Sequence, residues 1–177
     1  MAQVYYPRST STKYMDGAMA GLLGGAITAV VGTLGDVLTP DRSWWTSLSV
    51  IGSIFTGASN FNTASTDWGS WIIGLAITLV AFALFGMGLV SYLPLFRRFN
   101  LHPVLGGLLY GLLLWVFVDL IFLNPLTSGR LNMIVLLVAD LLAGAAMAWW
   151  LAWVNKPKPG STTAVVDEGR TTKDEGI

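Results

Sequence analysis

Three aspartates, Asp36, Asp119 and Asp140, stand in stretches of sequence otherwise free of charge. Carboxyls so placed can hold a proton or a cation between helices, or hydrogen-bond one helix to its neighbour. An acid at the centre of a bilayer costs about 2.5–3.5 kcal/mol on insertion scales, so such a residue is paired, protonated or put to use. No lysine or arginine shares these stretches. Partners have to reach in from the flanks (Arg42 or Arg130) or be neutral: Thr28, Thr33, Asn124, Asn132, the Trp115 indole N–H, or water.

Each acid also keeps company with small residues. At four-residue spacing Gly17, Gly21 and Gly25 form one stripe, and Gly24, Thr28, Gly32 and Asp36 form the next. Gly107, Gly111, Trp115 and Asp119 line up in the same way, as do Asp140, Gly144 and Ala148. Small residues are where membrane helices approach closely. One such motif means little, but each acid lies on the small-residue face of its own segment, which turns it toward protein and away from lipid.

The elements that must carry these residues follow from composition. Of 177 residues 54% are hydrophobic and 11% charged, with mean hydropathy +0.63; this predicts an all-α polytopic integral membrane protein, a bundle of four transmembrane helices plus a short interfacial helix. A span needs about 20 apolar residues, and four stretches qualify: 17–38, 71–96, 103–123 and 131–154. The third and fourth are joined by a short turn containing Pro125 and Gly129, which makes them antiparallel neighbours. Between the first two, 43–55 is too short to span. Its Trp44, Leu48, Ile51 and Phe55 recur at helical spacing among Thr46, Ser47, Ser49 and Ser53, the pattern of an amphipathic helix in the interface; a re-entrant half-helix is the alternative. Residues 1–16 form a cytoplasmic N-terminal segment ahead of an uncleaved first span. A polar loop covers 57–67, and 155–177 reads as a disordered cytoplasmic tail.

Charge sets orientation. With both termini cytoplasmic, Arg8, Lys13, Arg97, Arg98, Lys156, Lys158, Arg170 and Lys173 lie inside, eight of the ten basic residues, as the positive-inside bias requires. Tryptophans mark the two interfaces: Trp44, Trp45, Trp68 and Trp71 outside, Trp149, Trp150 and Trp153 inside. At about 1.5 Å per residue, Asp119 is then roughly 6 Å and Asp140 roughly 12–14 Å below the outer surface. Asp36 is near that surface.

The remaining residues narrow the function by exclusion. Absence of cysteine rules out disulfides, thiolate metal sites and thiol nucleophiles. The single histidine, His102, rules out bis-histidine haem within the chain and reads as an edge cap between Asn100 and Pro103. Pro94 is expected to loosen the end of the second span. Zero net charge gives no basic field for nucleic acid, no glycine run has the phosphate-loop context, and no repeat suggests duplicated transporter halves. The tryptophans could stack on a pigment or quinone, but interface anchoring accounts for them. No catalysis, metal or cofactor is therefore expected. Two uses remain, both in a bacterial inner (plasma) membrane. One is an accessory or assembly subunit whose Gly/Ala faces dock on other membrane helices or on a second copy. The other is a small proton- or cation-coupled transporter or channel built on Asp119 and Asp140, with Asp36 nearby.

Overall fold

The computed structural model describes residues 10–40, 42–57, 67–98, 102–127 and 131–155. The bulk of the expected polar loop, Asn100, Arg130 and the tail from 156 onward fall outside them. The described residues are helical throughout, without strands: α1 (Thr10–Leu38), α2 (Thr46–Thr56), α3 (Trp68–Arg98), α4 (Pro103–Leu114), a π-helical segment (Trp115–Leu123), α5 (Asn124–Leu126) and α6 (Met133–Val154). Four stretches, Ser11–Leu38, Trp68–Phe96, Pro103–Leu126 and Met133–Val154, are long and apolar enough to cross a membrane.

Local chemistry sets the ends. The Asp67 carboxylate accepts the Gly69 and Ser70 N–H groups at 3.1 and 3.3 Å, so α3 starts three residues ahead of the expected Trp71. Together with the Ser70 hydroxyl, which donates to Asp67 at 2.5 Å, these bonds hold the Asp67 carboxyl below the usual carboxylate range. Asn132 caps α6 by accepting from Ile134 and Val135, and His102 caps α4 by accepting the Val104 N–H on Nδ1, with Pro103 at the first helical position. Two expectations shift. Helix α1 is already formed at Thr10, because no glycine or proline lies between Thr10 and Gly17, and α3 runs through Pro94 to Arg98.

The four long helices alternate in direction, and α1 packs between α3 and α6 while α4 covers the far side of α6. Glycine makes both main seams. A Cβ on Gly21 would strike the Phe82 carbonyl oxygen, and one on Gly86 the Gly17 carbonyl oxygen. Across the other seam Gly107 and Gly144 stand against each other's carbonyls, and Gly111 against that of Asp140. Backbones in such contact gain dispersion without relying on water. Above the α1–α3 contact, Ala20, Phe82, Leu89, Tyr110, Met147 and Leu151 share one core, tied by the Tyr110 hydroxyl, which donates to the Phe85 carbonyl at 2.6 Å.

Helix α2 buries Thr46, Ser47, Leu48, Ser49, Val50 and Gly52, while Trp44 and Phe55 are exposed. Its hydroxyl-bearing Thr46, Ser47 and Ser49 are thus covered by protein, and of the expected apolar stripe Trp44, Leu48, Ile51 and Phe55 only Leu48 is buried. Gly52 and Gly74 permit this by meeting the backbones of Ser70 and Leu48. Val50 reaches Leu131, just ahead of α6, and Leu136 within it, with Trp115 alongside. The helix therefore plugs one end of the bundle, leaning on α1, α3 and α6 together.

The seams generate a direct expectation. Gly21→Ala must push the α3 backbone aside and should cost about 1–3 kcal/mol or prevent folding. Gly32→Ala, whose new methyl meets open space, should be neutral or stabilising by up to about 1 kcal/mol. Thermal unfolding of both variants in detergent checks the pair; equal losses would contradict the packing.

Candidate functional site

The three aspartates separate into two sites. Asp36, 1% exposed, is fully engaged. Its carboxylate accepts the Ser47 backbone N–H at 2.6 Å and the Ser47 hydroxyl at 2.9 Å, and lies 3.4 Å from Arg42 Nη1. Because Ser47 is in the first turn of α2, the negative group sits where an α-helix presents free N–H groups and positive potential. Asp36 is the pin that fastens the plug to α1. At the other end of α2, Thr56 shares a 3.0 Å hydrogen bond with Ser70, which is itself bound to Asp67.

Asp119 and Asp140 meet each other instead. Both are buried, 5% and 3% exposed, and their carboxyl groups are near enough to interact across the α4–α6 seam. A carboxylate only accepts hydrogen bonds, so two carboxyls can bond directly only when one of them carries a proton. Asp119 Oδ2 has no partner among the described residues. Of the neutral partners that the sequence offered, three are occupied elsewhere: Trp115 Nε1 donates to the Met133 carbonyl at 2.9 Å, Asn132 to Thr39 at 3.2 Å, and the Thr33 hydroxyl to the Ala29 carbonyl at 2.8 Å. Arg42 pairs with Asp36.

The backbone around Asp119 is unusual. It lies in the π-helical segment Trp115–Leu123, of which it is the one buried residue. In an α-helix, positions four apart precess by about 40° per step. Three steps from Gly107 would carry the stripe about a third of a turn off the seam, away from α6. A π turn, with i→i+5 bonds, holds an extra residue and rotates later positions back; such turns concentrate at functional sites. The widened turns aim Asp119 at Asp140.

Other expected sites fall as follows. Gly17, Gly21 and Gly25 face α3, and Gly107, Gly111 and Gly144 line the α4–α6 seam. Trp44, Trp45, Trp68 and Trp71 gather in edge-to-face contacts 5.4–6.2 Å apart at the α2 end. Trp149 and Trp153 are exposed at the opposite end, and Trp150, 5.6 Å from Trp153, packs on the core. A groove of about 420 Å³ between α1, α2 and α3, lined by Val30, Leu34, Trp44, Trp71 and others, is almost wholly apolar and includes neither carboxyl of the pair. Among the described residues no group of three or more His, Cys, Asp or Glu side chains could hold a metal. Sequence reasoning passed over Ser47 and the Ser70, Gly74, Thr78 stripe, although its four-residue spacing signals a helix contact. No family model, curated protein or solved structure matches this chain.

The two sites should respond differently to loss of charge. Asp36→Asn removes the acceptor of charge-assisted bonds and should cost about 1.5–3 kcal/mol. Asp119→Asn should cost nearer the average of about 0.6 kcal/mol for an interhelical hydrogen bond. Denaturant unfolding in detergent reads both, and an equal or larger loss at Asp119 would assign the pair a structural role.

Proposed function

We propose that this chain is a four-span integral membrane protein of the inner membrane, with both termini cytoplasmic, in which the Asp119–Asp140 pair carries a proton or a small cation in a transporter or channel. The observation that carries this is the contrast between the acids. Asp36 shows what a structural aspartate looks like here, with a serine, a helix N-terminus and an arginine satisfying it. The pair has no such complement among the described residues, keeps one oxygen without a partner, and is aimed by an irregular backbone. Intramembrane acids with these features are functional by default. Their all-oxygen donor set suits a proton or a hard cation rather than a soft metal.

Support for the membrane comes from the outward faces. Val30, Leu34, Val80, Leu113 and Ile134 are each more than half exposed, and together such side chains form a larger apolar surface than soluble monomers tolerate. Orientation rests on the basic residues of the sequence, which places α2 and the carboxyl pair toward the outer side. A second use, as an accessory subunit docked on other membrane helices, draws on the exposed Trp149 and Trp153. Its expected docking faces are already committed, since the glycine stripes close on one another within the chain.

Liposomes containing the purified protein provide the test. Under an imposed pH or monovalent-cation gradient, wild type should carry flux above protein-free vesicles. Asp119→Asn and Asp140→Asn, shown to be folded by their unfolding transitions, should abolish it. Flux indifferent to both changes would leave the accessory role.

A further inference from the structure

Beside Gly32 the interior is open. The other buried glycines of α1 are wedged against a neighbour, whereas a Cβ on Gly32 meets no heavy atom within 4 Å although the residue is buried. One turn away on the same face stands Thr28, 9% exposed, its hydroxyl without a hydrogen-bond partner among the described residues. Helical Cα–Cβ bonds tilt toward the N-terminus, so the open space at Gly32 extends toward Thr28. The facing wall is α6. A Cβ on Gly24 would stand 2.9 Å from Met147 Cγ, one on Gly35 would strike Val135, and Thr39 meets Asn132. Interpolated along these antiparallel contacts, Gly32 is level with Val138 and Ala139, within one turn of Asp140.

Buried polar groups are satisfied in native proteins, and where protein does not satisfy them water does. An apolar space stays dry, but this one is bordered by a threonine hydroxyl and lies within one turn of the level of an acid. Toward the α2 end the stripe continues to Asp36, and α2 contributes Ser49, fully buried and also without a partner for its hydroxyl. We infer that the space between α1 and α6 at Gly32 is a hydrated chamber through which the Asp119–Asp140 pair exchanges its proton with the α2 end of the bundle. This rests on the reading of the pair as a proton site and adds its route. Each exchange breaks one O–H bond of the pair, passes the proton to water and returns one proton from water, with no change of charge or oxidation state.

Infrared spectroscopy of the whole protein in lipid tests it. A protonated-carboxyl C=O band should be present, be removed by Asp119→Asn or Asp140→Asn, and shift on transfer to D2O. Gly32→Leu, which fills the chamber, and Thr28→Val, which keeps the shape but deletes the hydroxyl, should each slow that shift by about tenfold or more. If Gly32→Leu does not fold, Thr28→Val decides alone. Exchange as fast as wild type in the folded variants would overturn the chamber while leaving the pair intact. Absence of the carboxyl band in wild type would overturn both.

Discussion

Backbone-to-backbone contact at glycine is the constraint from which the rest of this structure follows. At Gly21 and Gly86 on one seam, and at Gly107, Gly111 and Gly144 on the other, there is no room for a single added carbon. Among helices whose outer surfaces are apolar on every side, burying more apolar surface cannot choose a partner, but close approach can. The seams fix the helix order and the axial register. Register in turn determines which polar groups meet: Asn132 with Thr39, Trp115 with Met133, Asp119 with Asp140.

The acids then divide by what that register leaves beside them. Asp36 falls where the chain returns as α2, so it acquires a helix N-terminus, a serine and an arginine, and its charge serves to hold a plug in place. Asp119 and Asp140 fall where two helices touch without any donor from the described residues between them, so each becomes the other's partner. Ion pairs that complete themselves stabilise a fold, whereas two acids left facing each other are the arrangement on which the proposed proton-carrying role rests. The same chain thus places one residue type in two environments, and the distinction lies in the neighbours.

Much of this was legible in the residues, for reasons that also mark the boundary of legibility. The four long helices are visible as apolar length, and the seams as glycines at four-residue spacing, because both depend on local composition. His102 declared itself as a cap by its place before Pro103. The burial of the hydroxyl side of α2 was not legible: periodicity locates two faces, but which one is covered depends on Gly52 and Gly74 meeting across a tertiary contact. The π-helical turns around Asp119 were invisible for a similar reason. Nothing in Trp115–Leu123 disfavours an α-helix locally, and the widening is a response to packing. The pairing of Asp36 with Ser47 needed the direction of α2, which no spacing rule supplies. Arg42, by contrast, was an evident candidate, six residues away in a short connection.

The central claim is that Asp119 and Asp140 face each other across the α4–α6 seam and not the lipid. The chain has no cysteine, so Asp119→Cys/Asp140→Cys in the full-length protein presents two thiols only. Intact mass after treatment with a short bifunctional thiol reagent gives the answer: one reagent joining both thiols is the predicted product. The control Phe122→Cys/Asp140→Cys, which moves one thiol to a residue 62% exposed, should instead carry unjoined labels. Unjoined labels in the Asp119→Cys/Asp140→Cys protein, or bridging equally efficient in both, would contradict the account.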